Sequence, residues 1–308
     1  MSLAASQRTF EYRAAGTDLS ERRRSGVSRA PVVDIAESMA ATGVEGEPDG
    51  GVRIGALTTV AALAADKAIR TAYPGLAAAA GGLATPQIRR MATVGGNIAQ
   101  RNRCWYFRNP GIMCLKKGGE TCPAREGNAL YAVAFDTAPC IAPHPSTLAA
   151  ALIAYEARLD TNRRRNLPIA EALGDGRAAS AETALEPGEL ITSIALPPPV
   201  AGERAAYKRA ISRANAEWPL VELVVTATIE KGAFARVRLV AGGVAPVPLR
   251  LRAAEAAALG RPASAETAEA AAEAAAEGAN PLPQTRYKLD LLRGLTRDLL
   301  GAVSLARG

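Results

Sequence analysis

Residues 101 to 140 constrain this chain more than any other stretch. They are polar, basic and rich in Cys, Gly, Asn and Pro, with neither helical nor strand-like apolar periodicity. A segment that long cannot order itself by burying apolar side chains, so something other than a hydrophobic core has to hold it. All four cysteines of the protein, Cys104, Cys114, Cys122 and Cys140, lie inside it. In a reducing compartment, clustered thiols are expected to be metal ligands or redox groups rather than two disulfides. Spacing alone leaves the metal open. The gaps of nine, seven and seventeen residues lack the close pairs usual for structural zinc and suit an iron–sulfur centre at least as well. From Arg101 to Arg125 six basic residues face one acid, Glu120. They are expected to lower the thiol pKa values and offset the charge of a thiolate-bound centre. His144, the only histidine, is expected to hydrogen-bond within the turn before Pro145 rather than to ligate. Trp105, Tyr106 and Phe107 either keep water from a bound centre or anchor the segment to the core.

Around this excursion the pattern is that of an ordinary α+β protein. At 308 residues and 48% hydrophobic, the chain is long enough for two domains. Short β-type runs, "PVVDIAE" and "GVRIGALT", precede one alanine-rich helix in "TVAALAADKAIRTAYPGLAAAAGGLA", with Thr59 as its N-cap. A helix near 146 to 155 and a following strand resume the pattern after Cys140. "ELITSIALPPPVAGERA" closes a first domain at 1–197 with an exposed, proline-rich linker. A smaller α+β domain at 203–308 follows, with a hairpin turning at "EKGAF". Two Ala/Glu helices end at Gly260 and Gly278, and a last amphipathic helix carries Leu289, Leu292, Leu295, Leu299 and Leu300. No internal repeat is present.

Charge and composition narrow the function. The formal net charge of +7 is dispersed, with arginine triplets at 22 to 24 and 163 to 165, and aromatic residues make up 4% of the chain. That predicts a solvated basic surface rather than a nucleic-acid platform. No window approaches the roughly eighteen apolar residues of a membrane span, and the N-terminus lacks an apolar signal region, so a soluble, cytoplasmic protein is expected. No Ser-His-Asp set and no paired carboxylates in a glycine-rich pocket are present, so no catalytic residue is assigned.

Two glycine turns stand out, "AAGTDL" at 14 to 19 and "TVGGN" at 93 to 97. Such turns let backbone N–H groups converge on phosphate oxygens while a ligand approaches the main chain closely. Each is weak alone, and neither a dinucleotide G-x-G-x-x-G nor a P-loop lysine motif is present.

Together, "AAGTDL", "VRIGALTTVAALA", "PQIRRMATVGGNIAQ", "ELITSIALP" and "AGGVAPVPLRLRAAEAAALG", in this order, resemble the FAD-binding medium subunit of the xanthine dehydrogenase and carbon monoxide dehydrogenase family of molybdenum hydroxylases, from about residue 10 to 300. The resemblance implies a two-subdomain FAD-binding domain of the vanillyl-alcohol-oxidase type, followed by the family's smaller C-terminal domain. It implies that Ala14, Ala15, Gly16, Thr17 and Asp18, with Thr93, Val94, Gly95, Gly96 and Asn97, grip the FAD pyrophosphate. Thr147 in "HPSTL" and Leu190 are implied on the flavin side. Ala15 stands where the family usually has glycine, and would be strained by about 1 kcal/mol or more if its φ were positive. Thr147 replaces an expected acid, so that position supplies a hydroxyl and no carboxylate. The segment ahead of "AAGTDL" is shorter than is typical, which predicts a trimmed first strand and helix. The cysteine segment resembles that of the family's subset typified by 4-hydroxybenzoyl-CoA reductase and bacterial aldehyde oxidoreductase, which implies a [4Fe-4S] cluster on Cys104, Cys114, Cys122 and Cys140.

The function so implied is electron relay. Substrate chemistry belongs to a molybdenum-cofactor large subunit, and electrons pass between [2Fe-2S] clusters on a small subunit, this FAD and an external acceptor or donor. The resemblance puts a cation near 208 to 213 beside the flavin or a partner, against which Lys208, Arg209 and Arg213 read equally well as a solvated strand edge. From another class, a zinc-stapled basic binding module with merely structural glycine turns is the alternative; a stand-alone flavin oxidase is disfavoured for want of a substrate base. Export folded with a signal-bearing partner would place the protein in the periplasm instead.

Overall fold

The computed structural model describes residues 10–37, 41–213 and 216–305, and the predicted trimming ahead of Phe10 lies outside them. The fold is α+β, built on three sheets. A two-stranded parallel sheet pairs Glu11–Arg13 with Val32–Asp34, and a five-stranded antiparallel sheet runs in the order Val44–Gly46, Val52–Gly55, Ile191–Leu196, Arg158–Thr161, Leu167–Pro168. A four-stranded antiparallel sheet orders Leu249–Arg250, Ala233–Gly242, Val221–Glu230 and Arg204–Ala210. The central hairpin turns through Lys231 and Gly232, both with positive φ, which is the backbone a two-residue turn between twisted strands requires.

The single alanine-rich helix expected after Thr59 is three helices, Val60–Ala65, Lys67–Ala72 and Pro74–Gly82. Thr59 caps the first as expected, its hydroxyl accepting from the Ala62 N–H. Asp66 then breaks the run: its backbone is extended and its carboxylate accepts from the Ile69 N–H, so it ends one helix and caps the next. Pro74, lacking an N–H, starts the third. These helices and Thr147–Ala154 share one core with the five-stranded sheet, a core that includes Ile54, Leu63, Leu76, Leu148 and Leu159.

The C-terminal sheet packs against Arg252–Ala258, Ala265–Ala274 and Tyr287–Leu305. Gly260 and Gly278 take left-handed backbone just beyond the first two of these helices, as anticipated. The last helix buries Leu292, Leu295, Leu299 and Leu300, and also Lys288, which an apolar pattern would have turned outward. The cysteine segment is not wholly without a core. Ala124, Ala129, Ala132, Val133 and Ile141 make a small cluster of their own, while Ala134 and Phe135 join the C-terminal core. Among the described residues no helix is long and apolar enough to cross a membrane.

Candidate functional site

The first glycine turn joins the strand Glu11–Arg13 to the helix Leu19–Arg24. Gly16 has φ +73°, and a Cβ there would lie 2.8 Å from the Ser20 hydroxyl oxygen. Ala15 escapes the strain expected of it. Among the described residues the non-glycine positions with left-handed backbone are Ala84, Glu156, Asn166 and Lys231, so the turn places its one left-handed residue at the glycine.

Asp18 ends this turn with its carboxylate directed into the protein. It accepts from Arg22 Nε at 3.0 Å, Arg108 Nη2 at 2.7 Å and the Arg101 backbone N–H at 3.2 Å, and it pairs with Arg103 Nη1 at 3.1 Å. Burial pushes its pKa up, but Arg103 and Arg108 outweigh burial and hold the carboxyl below its ordinary range. One carboxylate therefore ties the first turn to the cysteine segment where that segment leaves the second turn.

The second turn is the start of the helix Val94–Ile98, with the Thr93 hydroxyl accepting from the Gly96 N–H at 3.2 Å. Val94 is buried, and Gly95 donates its N–H to the Ala56 carbonyl at 2.8 Å. Its close approach leaves no room for a side chain, since a Cβ would sit 2.9 Å from that of Ala56. Asn97 is buried and accepts from the Ser146 hydroxyl at 2.7 Å, which links the turn to the N-terminus of Thr147–Ala154. Ala14 and Thr17 complete the first turn beside Gly16.

Thr147, expected on the flavin side, is buried as the first residue of its helix. Its hydroxyl joins one hydrogen-bonded set with Tyr207 and Glu222, and Tyr207 Oη donates to Glu222 Oε2 at 2.9 Å. Leu190 is held apart from this group: its N–H donates to Asn162 Oδ1 and its carbonyl accepts from the Asn162 N–H, both at 2.9 Å.

All four cysteines line one cavity of about 640 Å³, within the range of small-molecule sites. None is in a disulfide. Among the described residues no three His, Cys, Asp or Glu side chains form a group that could hold a metal ion as they stand. Zinc–sulfur bonds of about 2.3 Å need sulfurs within roughly 4 Å of one another, whereas a polynuclear centre spreads its ligands more widely. The pKa values of Cys104 and Cys140 move opposite to expectation. Burial raises that of Cys104, with Cys122 and Cys114 adding to it, and pushes Cys140 up to about 11.

The nearby cations are spent elsewhere, which explains this. Arg101 pairs with Glu182, Arg103 and Arg108 with Asp18, and Arg125 with Asp136, while Lys117 Nζ donates to the Tyr106 and Asn109 carbonyls. Lys116 donates to the Ala181 carbonyl and, though it acts on Cys140, is outweighed by burial. Glu182, which the sequence did not single out, is the anchor of the segment's start: it accepts from Arg101 Nε at 3.0 Å and from Asn102 Nδ2 at 2.6 Å. Of the three aromatics, Phe107 is buried under the guanidinium groups of Arg101 and Arg108. Trp105 stays exposed, edge-on to Tyr131, and Tyr106 accepts from the Asn128 N–H.

His144 lies in the same cavity wall at 4% exposure. As expected, it hydrogen-bonds within its turn, Nδ1 accepting from the Ser146 N–H at 3.3 Å. That leaves Nε2 to carry the proton, and Nε2 is buried with no partner in the protein. Burial pushes its pKa down to about 4, so the ring is neutral near pH 7. Arg103 Nε is a second buried donor without a partner, its guanidinium stacked 4.4 Å over Trp218. The C-terminal domain supplies the facing wall, including Trp218, Glu222 and Lys288. Lys288 Nζ donates to the carbonyls of Gly243 at 2.7 Å and Tyr131 at 3.2 Å. On the neighbouring strand Arg204–Ala210, Lys208 is exposed and pairs with Asp298, and beyond the strand's end Arg213 pairs with Glu217 at 3.1 Å.

Two glycine turns in the first domain, followed by a smaller α+β domain, are the layout of a class of flavoprotein subunits. The chain belongs to the family described as the FAD binding domain in molybdopterin dehydrogenase, which matches residues 1–199, and residues 205–303 match the CO dehydrogenase flavoprotein C-terminal domain. It is an FAD-binding medium subunit of the xanthine dehydrogenase/CO dehydrogenase family.

Among its relatives is the aldehyde oxidoreductase FAD-binding subunit PaoB of Escherichia coli (strain K12). That protein is 33% identical over 304 residues, covering 96% of this chain and 91% of the relative. The xanthine dehydrogenase FAD-binding subunit of Escherichia coli O157:H7 is 24% identical over 282 residues, covering 90% and 82%. A solved structure of carbon monoxide dehydrogenase from Hydrogenophaga pseudoflava, lacking the Mo-pyranopterin moiety of its molybdenum cofactor, superposes with a TM-score of 0.74 at 25% identity. It covers 96% of this chain and 89% of that one.

Proposed function

We propose that this chain is the electron-transfer subunit of a heteromeric molybdenum hydroxylase, binding one FAD and one [4Fe-4S] cluster. The observation that carries the cluster is the cavity itself: Cys104, Cys114, Cys122 and Cys140, from four separate places in an irregular segment, line one space with an unpartnered buried His144 Nε2. For FAD, support comes from the paired turns, where Gly16 takes a backbone closed to side chains and Gly95 has no space for one. When bound, the flavin supplies one- and two-electron chemistry and the cluster one-electron chemistry, which suits a relay between partner [2Fe-2S] clusters and an external acceptor or donor.

The protein's own part is to bind, orient and exclude water. Residues 14–18 and 93–97 hold the pyrophosphate, Asp18 by tying the first turn to the segment that follows the second. Thr147 and Leu190 act on the flavin side through the groups they hold, Glu222 and Asn162. Phe107 and the Arg103–Trp218 stack shield the cavity. The domains divide at 1–197 and 203–308, and the partners are a molybdenum-cofactor large subunit and a [2Fe-2S] small subunit. The cytoplasm is the location proposed, with export alongside a signal-bearing partner as the other route.

Iron, zinc, acid-labile sulfide and flavin content of the chain purified without oxygen tests this reading. About four iron and four sulfide with one FAD are expected; one zinc and no flavin would overturn it and leave the glycine turns structural.

A further inference from the structure

Glu222 is a buried carboxylate placed so far only as the group that Thr147 holds, with no role of its own toward the flavin. It sits in the strand Val221–Glu230 at 1% exposure and lines the cysteine cavity. Fully buried carboxylates are rare unless charge and hydrogen bonds compensate them. The groups facing it come from three elements. Tyr207 Oη donates to Oε2 at 2.9 Å, the Thr147 hydroxyl bonds to the carboxylate from the helix N-terminus, and Arg209 stands opposite in register on Arg204–Ala210. Gly242, its partner on Ala233–Gly242, has no side chain, and a Cβ there would come within 2.5 Å of Oε1. Glycine at 242 thus makes room for the carboxylate. An ionised carboxylate accepts roughly four hydrogen bonds, so the two hydroxyls leave capacity for a further donor. The same cavity has largely apolar walls, to which Trp218, stacked under Arg103, also contributes. A buried acceptor in a largely apolar cavity suits a flat heteroaromatic ligand with an N–H or O–H edge.

We propose that Glu222 accepts a hydrogen bond from the isoalloxazine–ribityl part of the bound flavin, and so helps to set both its affinity and its reduction potential. This rests on the FAD reading above. It gives Thr147 a positioning role: its hydroxyl orients a carboxylate that strand 221–230 supplies, in place of one at position 147.

The test uses the full chain, reconstituted with FAD, with E222Q and E222D beside the wild type. Flavin fluorescence gives the Kd, reductive titration gives the flavin midpoint potential, and competition by ADP reports on the pyrophosphate turns alone. In E222Q the FAD Kd should rise about tenfold or more, because an amide N–H then meets the flavin's donor. The midpoint potential should rise with loss of the negative charge, and the ADP affinity should stay unchanged. E222D, keeping the charge but one methylene shorter, should lose affinity less and hold its potential near the wild type; it also serves if E222Q does not fold. Unchanged FAD affinity and potential in E222Q would overturn the proposal, as would an equal loss of ADP affinity, the mark of a purely structural role. Failure of the wild type itself to bind FAD would instead refute the FAD reading.

Discussion

Replacing Asp18 by Asn separates two roles this residue could have, phosphate-loop acid or internal tie. The carboxylate takes hydrogen bonds or ion pairs from Arg22, Arg108, Arg103 and the Arg101 backbone, and it and the guanidinium groups are largely buried. An Asn side chain keeps one acceptor oxygen and presents an NH₂ to guanidinium groups that cannot accept. Breaking a buried pair by neutralising one partner costs about 3–5 kcal/mol, and here several cations lose their anion together. Taking the lower figure, and roughly 2–4 °C of Tm per kcal/mol for a domain of this size, the first domain should melt about 6–12 °C lower. Arg108 and Arg103 belong to the cysteine segment, so limited proteolysis should cut first between Arg101 and Cys122. Because the neighbouring arginines hold the Asp18 pKa below its ordinary value, its stabilisation is complete above the unfolded carboxyl pKa and is lost as pH falls through the folded one. The Tm difference between wild type and D18N should therefore shrink in acid. A D18N protein with wild-type Tm and proteolytic pattern but no FAD would refute the argument, and would make Asp18 a direct ligand.

Three further outcomes follow from the same geometry. Gly95→Ala forces a Cβ to 2.9 Å from that of Ala56, so stability should fall by about 1–3 kcal/mol in thermal denaturation, with A56G restoring part of it. Lys288, whose pKa burial pulls down to about 7, is penalised in its charged form; that cost is full below pH 7 and fades toward the ordinary lysine pKa. Wild-type Tm should thus rise relative to K288M between pH 7 and pH 10, and parallel Tm–pH profiles would show that the lysine is not desolvated. Cys122→Ser should remove most of the iron from anaerobically purified protein, measured by metal analysis, while leaving the flavin content of the glycine turns intact; unchanged iron would exclude Cys122 as a ligand.

Local chemistry is what the sequence displayed well. The Thr59 cap, the turn at Lys231–Gly232 and the glycines past the Ala/Glu helices all depend on neighbours within a few residues, and the structure keeps them. The alanine run misled because composition favours helix throughout, whereas Asp66 and Pro74 act through single hydrogen bonds that an average hides. The raised pKa values of Cys104 and Cys140 departed from expectation for a different reason. The count of six cations is right, but their partners, Glu182 and Asp18 among them, lie far away in sequence and neutralise them before they reach the sulfurs. Lys288 and Glu222 were invisible because each sits at a position whose neighbours are ordinary helix or strand residues. Only the packing of two domains makes them buried and polar.

The cavity's walls also fix when it can be completed during synthesis. Ala134 and Phe135 both donate to the Val244 carbonyl, His144 donates to that of Ala245, and Asn280 and Lys288 bond back to Ala134 and Tyr131. The cysteines leave the ribosome well before these partners do. A nascent chain stopped near residue 200 would carry every thiol yet lack one side of their enclosure. The enclosure around those thiols is thus completed only on a finished polypeptide, and the first domain expressed alone lacks one wall of it.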